Sequence, residues 1–224
     1  MTRLLSPLLA LLLLSACTGE SPSKDRLVVA IEAPPETLDR RMALGANAMR
    51  VAQLVTPGLS RIDDTGRAVA DLARSFEAVD ERTWRFDLRE GLRFSDGSPL
   101  TSADVVATWN SVLDPTTGSP HRGSYTYLEA VEAPDPHTVI FPLAIPFGAF
   151  PVDASLGILP SELVGTEHLD AIRRAPIGAG PYVVERWERE EQLLLRPNPH
   201  YYGGTPEMPV EIRTVRDETT RVLE

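Results

Sequence analysis

The sequence predicts a mixed α/β fold in which strands outnumber helices, and three local patterns lead to it. Leu27 to Ile31 is a continuous apolar run closed by Glu32-Ala33-Pro34-Pro35. This is the pattern of a buried strand stopped by two residues that have no N–H to donate. Trp84, Phe86 and Leu88 alternate with Arg85, Asp87 and Arg89, as in a strand with one buried and one wet face. Thr101 precedes Asp104 by three residues, ahead of Val105, Val106 and Trp109, which is a capping-box start to an apolar helix.

Other elements follow in chain order. Ala46 to Val55 reads as a helix with Met49, Val51, Ala52 and Val55 among its apolar positions, and Asp63-Asp64-Thr65-Gly66 as a turn between short strands. Asp96-Gly97 is a tight-turn signal between the Trp84 strand and the Thr101 helix, because Gly takes positive φ without steric cost. Val139, Phe141 and Leu143 alternate after Asp135-Pro136 and predict another strand. Gly178-Ala179-Gly180 is read as a structural turn, since no Gly-Lys-Ser or Gly-Lys-Thr follows and Pro181 removes a donor that a phosphate cradle would use. Leu193 to Leu195 and Val210 to Ile212 are further strands. Trp84, Trp109 and Trp187 are assigned to packing.

The 224 residues carry 22 basic and 32 acidic side chains, a net charge of −10. That balance opposes binding to nucleic acid. A hydrophobic fraction of 42% allows one good core or two modest ones. Catalytic signatures are missing from the sequence: it has neither a Gly-x-Ser-x-Gly elbow nor His-Glu-x-x-His. His121, His137, His168 and His200 lack close ligand spacing, so neither a protein-made metal site nor a cofactor is expected. Acidic pairs such as Asp63-Asp64 and Glu190-Glu191 are expected to face water.

Arg3, an uncharged Leu-rich run from Leu4 to Leu14, and Ser15-Ala16-Cys17 form the three regions of a secretory signal. The run is shorter than the roughly 20 residues of a membrane span. Leu14-Ser15-Ala16-Cys17 is similar to a bacterial lipobox, and Cys17 is the only cysteine. Residues 1–16 are therefore expected to be a lipoprotein signal peptide, Cys17 the lipidation site, and 17–26 a polar leash. More than one acyl chain anchors stably, at about 0.8 kcal/mol per buried methylene.

The block from Trp84 to Val106, with Phe94-Ser95-Asp96-Gly97-Ser98-Pro99-Leu100 and Ala103-Asp104-Val105-Val106, resembles the signature of the family 5 extracellular solute-binding proteins, the peptide and nickel receptors of ABC importers. Gly178-Ala179-Gly180-Pro181-Tyr182, Asn198-Pro199-His200-Tyr201-Tyr202-Gly203-Gly204 and Asp217-Glu218-Thr219-Thr220-Arg221 follow in the family's order, with Tyr202 where Trp is usual. Pro35-Glu36-Thr37-Leu38-Asp39 is a weaker match.

The resemblance implies a periplasmic-binding-protein-like type II fold over 27–224. Residues 27–47 and 165–224 would form parts of lobe I, and about 48–164 the family's small subdomain. It also implies that the chain stops before most of the second lobe, and hence a shortened chain with little ligand affinity of its own. Glu32, Ala33 and Pro34 are the implied cleft-lining segment, against an ordinary polar loop as the alternative. Asp153, Ser155 and Leu156 are a second such segment. The implied partners are a peptide or other small solute, ABC permease and ATPase subunits, and a membrane met through the lipid anchor, the protein being a monomer. A nickel chelate stays open as the solute, because relatives hold the metal through a small chelator. A peptide-sensing or chaperone-like lipoprotein and an exported hydrolase are the alternative readings.

Overall fold

The computed structural model describes residues 25–217. Residues 1–16, expected to be a signal peptide, Cys17 and Thr219-Thr220-Arg221 lie outside them. The chain runs through β1 (Leu27–Ile31), α1 (Ala46–Ala52), β2 (Ser60–Ile62), β3 (Ala68–Ala70), β4 (Ala73–Asp80), β5 (Thr83–Leu88), α2 (Ser102–Leu113), β6 (Glu132–Asp135) and β7 (Thr138–Pro142). It continues through α3 (Phe150–Asp153), α4 (Leu169–Arg174), β8 (Tyr182–Glu188), β9 (Gln192–Pro197) and β10 (Val210–Thr214). Strands outnumber helices among the described residues, as the sequence predicts.

The middle of the chain builds an antiparallel sheet of order β4-β5-β7-β6. Alternation decides its faces. Phe86, Leu88, Val139 and Phe141 are buried, whereas Arg85 and Asp87 point the other way and pair with each other at 2.9 Å. Helix α2 lies against the buried face through Val105, Thr108, Trp109 and Val112, the i, i+3, i+4, i+7 stripe of an amphipathic helix. Its start is the expected capping box. The Asp104 carboxylate accepts the Thr101 N–H at 2.8 Å and also the Ser161 N–H at 2.9 Å. Trp109 meets Tyr125, Phe141 and Phe150 with ring centroids 5.0, 5.4 and 6.0 Å apart. Tilted and edge-on pairs of this kind add about 0.5–1.5 kcal/mol each beyond area burial. Between β5 and α2, Gly97 has φ +90° and the Ser98 N–H donates to the Asp96 carboxylate at 2.9 Å, so the strand, turn and helix read from Trp84 to Val106 all form.

The two ends of the described chain build a second, mixed sheet of order β1-β10-β9-β8, in which β1 runs parallel to β10 and the other pairs are antiparallel. Its core contains Leu38, Val51, Ala52, Val55, Leu193, Leu195, Val210 and Ile212. Two expectations change here. Strand β1 is not buried on both faces: Leu27 is 52% and Val29 39% exposed on the face they share, and among the described residues β1 pairs only with β10, at the sheet edge. Helix α1 ends at Ala52 instead of Val55. The Leu54 and Val55 carbonyls leave the helical direction to accept the Tyr182 N–H at 3.0 Å and the Gly180 N–H at 2.9 Å. That junction requires glycine, since a Cβ at Gly178 would lie 2.1 Å from the Val55 carbonyl oxygen. The Gly-Ala-Gly segment is thus the structural turn expected of it.

A buried ion pair ties the segment after β1 to the middle unit. Asp39 and Arg41 have fully buried side chains. The Arg41 Nε and Nη2 groups donate to the two Asp39 carboxylate oxygens at 3.0 and 2.9 Å, while Nη1 donates to Ser111 Oγ on α2 at 3.0 Å and to the Val164 carbonyl at 2.7 Å. Four donor contacts on one guanidinium satisfy most of its fork. Ser119 Oγ donates to the Arg41 carbonyl at 2.7 Å.

Two outcomes follow. Arg41→Met leaves the Asp39 carboxylate buried without its cation and lowers unfolding free energy by about 3–5 kcal/mol in urea titrations, whereas Asp39→Leu combined with Arg41→Met loses less. On β10, the Glu211 carboxyl is held below its ordinary 4.5 by the hydrogen bond from Arg213, with Arg26 adding to it and burial opposing. A depressed carboxyl stabilises the fold above its unfolded value and loses that contribution as pH falls through the folded one. Glu211→Gln is therefore destabilising near neutral pH, and thermal melts of variant and parent converge below pH 4.5.

Candidate functional site

Helix α1 and the turn after it separate two concavities, with Arg50 of the helix and Leu54 of the turn lining both. The first, about 330 Å³, lies along β1 and is lined by Val29 to Glu32, Asn47, Arg50, Val51, Leu54, Val210 and Ile212. Its floor is apolar, and Glu32, Asn47 and Arg50 supply the polar groups. Glu32 stands at the C-terminal end of β1, the position that ligands favour in open α/β sheets. Ala33 is pinned by its carbonyl, which accepts the Asn47 Nδ2 group at 2.8 Å, and half-buried Pro34 continues the same bend. Of the sequence-predicted segment Glu32-Ala33-Pro34, Glu32 lines this groove, and Ala33 and Pro34 are not among its lining residues.

The second concavity, about 420 Å³, has Arg40, Arg50, Arg61 and Asp71 among its walls, with Ser155 and Tyr201. Of the second predicted segment only Ser155 lines it. Asp153 accepts a hydrogen bond from the Tyr127 hydroxyl, and Leu156 is buried in the core of the middle unit. Gly58 sets the close approach here, since a Cβ on it would lie 2.4 Å from the Ser155 carbonyl carbon.

Sequence reading missed Arg40 and Asp71. A run of charges such as Asp39-Arg40-Arg41 ordinarily marks a solvated loop, and no spacing rule distinguishes it. In the fold Arg40 is 7% exposed. Burial pushes its guanidinium down to about 10, against the upward pull of Tyr125 and Asp71. Burial raises the Asp71 carboxyl, while the Tyr202 hydroxyl hydrogen bond and then Arg61, Arg89 and Arg40 pull it back. Arg89 also stacks over the Tyr202 ring at 4.8 Å. These groups hold and orient charge, and no nucleophile and base are paired in either concavity.

A model of bacterial extracellular solute-binding proteins, family 5 Middle, matches residues 67–224. The chain belongs to this family. It is 32% identical over 192 residues to Protein XP55 of Streptomyces lividans, covering 84% of this chain and 35% of that protein. It is 30% identical over 218 residues to the probable D,D-dipeptide-binding periplasmic protein DdpA of Escherichia coli K12, covering 90% and 41%. The structure of the ABC transporter substrate-binding protein CtaP of Listeria monocytogenes superposes with a TM-score of 0.78 at 30% identity, over 89% of this chain and 43% of that one. The chain thus spans about two fifths of the length of the relatives it matches. The family 5 assignment and the periplasmic-binding-protein-like fold agree with the resemblance carried by the Trp84–Val106 block.

The Tyr202–Asp71 contact gives a measurable consequence. In carboxyl-carbon NMR titrations Asp71 loses its proton above its ordinary 3.8. Tyr202→Phe removes a hydrogen bond to the charged form, so the same resonance titrates at still higher pH.

Proposed function

We propose that this chain is part of an extracytoplasmic lipoprotein that captures a peptide or related small solute and delivers it to an ABC permease, with no chemistry of its own. The observation that carries this reading is the groove at the end of β1, built on a family 5 fold. An edge strand beside an apolar floor suits an extended peptide, whose backbone can pair as an added strand while its side chains enter the groove. Similarity to DdpA, a probable D,D-dipeptide-binding periplasmic protein, supports a peptide as the solute class. Family membership also supports binding over hydrolysis.

In this reading residues 1–16 are a signal peptide and Cys17 carries the lipid. Residues 27–47 and 165–224 belong to one lobe and about 48–164 to the small subdomain. The packing of Val51, Ala52 and Val55 into the core of the β1-β10-β9-β8 sheet favours moving the first crossing to just after Val55.

Deletion of the gene from its own host, followed by uptake of radiolabelled di- and tripeptides, tests the proposal. Reduced uptake that returns with the gene is expected, and unchanged uptake overturns it. Fractionation tests the anchor: Cys17→Ser moves the protein from the membrane to the soluble fraction.

A further inference from the structure

The concavity of about 420 Å³ on the Arg40 side of α1 is chemically unfinished. Arg40 is nine-tenths buried, and its Nε has no hydrogen-bond partner among the described residues. The next residue shows that this is not a habit of the segment, since Arg41 makes four side-chain hydrogen bonds. An unmet buried donor costs about 1–3 kcal/mol, and more when charged. The Nε is itself occluded from solvent, so an acceptor in the concavity meets it by a turn of the Arg40 side chain, which lines that space.

The surroundings say which acceptor. Arg40, Arg50 and Arg61 face the same space, and Asp71 is the only acid among its lining residues. The Asp71 carboxyl is already engaged by the Tyr202 hydroxyl. Three guanidinium groups against one engaged carboxyl make a local cationic site on a chain whose net charge is −10, and arginine forks suit planar oxyanions. Met49, Leu54, Pro57 and Ile62 supply an apolar wall, which an inorganic anion would leave unused. The volume falls in the range of small-molecule sites, about 300–1,000 Å³.

We propose that this concavity binds a small organic carboxylate, with the carboxylate against Arg40 and Arg61 and the hydrocarbon part against the Met49, Leu54 and Ile62 wall. The site is distinct from the groove at Glu32 and does not depend on solute capture there.

Titration of the purified 224-residue chain with phenylacetate, its neutral isostere phenylacetamide, and inorganic phosphate, followed by NMR shifts and calorimetry, tests this. Expected are saturation by phenylacetate at about millimolar concentration or below, shifts at the Arg40 Nε–H, and no binding of the amide. Exposed Arg61→Gln, which leaves the core intact, weakens phenylacetate roughly threefold or more through loss of a charge-assisted bond. Arg40→Gln abolishes binding while the circular dichroism spectrum is kept. If Arg40→Gln does not fold, the Arg61→Gln result and the amide comparison decide. Equal binding of amide and acid, phosphate binding that shifts Arg50 and Arg61 but not Arg40, or no saturation by about 50 mM, which means a water-filled cavity only, would each overturn the proposal.

Discussion

The pairing of Asp39 with Arg41 is the constraint on which the rest of the architecture depends. Two charges taken wholly out of water are tolerable only when their strong donors find partners, and here the partners of four Arg41 donors come from three parts of the chain. Asp39 is local, Ser111 lies on α2 and Val164 follows the middle unit. Satisfying one guanidinium therefore fixes where the strand-bearing ends of the chain stand relative to the central sheet. Below that joint, the turn after α1 and the Gly-Ala-Gly segment lock carbonyl to N–H. The two cores meet at these polar joints, and their positions set the walls of both concavities.

Helix α1 is short, but its place between the concavities gives it a larger role than its length suggests. One face of it packs on the β1-β10-β9-β8 sheet through Val51 and Ala52. Arg50 and Leu54 are shared between the two concavities. The exposed sheet edge and the apolar floor beside it belong to the same groove.

Much of the fold was legible because periodicity and turn chemistry act locally. Trp84, Phe86 and Leu88 announced β5, Thr101 and Asp104 the start of α2, Asp63 and Gly66 the hairpin of β2 and β3. The family followed from the same blocks. Strands β4, β6 and β8 went unread because they carry charged residues or prolines on exposed faces and gain their order from neighbours. The edge position of β1 was hidden because an apolar run looks the same whether one or both sides are paired. Of the candidate site, Glu32 stands in the segment singled out after β1 and lines the groove, while of Asp153, Ser155 and Leu156 only Ser155 lines the second concavity. Arg40 and Asp71 were not legible, because burial of a charged side chain is decided by packing between segments far apart in sequence.

The parallel ladder that joins Leu27 to Val210 and Ile31 to Thr214 carries a consequence for the order of assembly. Nearly all of the described chain separates these strands, and closing so long a loop is slow. The central sheet with α2 is made from contiguous residues and can be complete while β1 still has no ladder to join. Strand β1 must therefore wait for β10, and during synthesis its bare edge is open to chaperones or to a copy of itself.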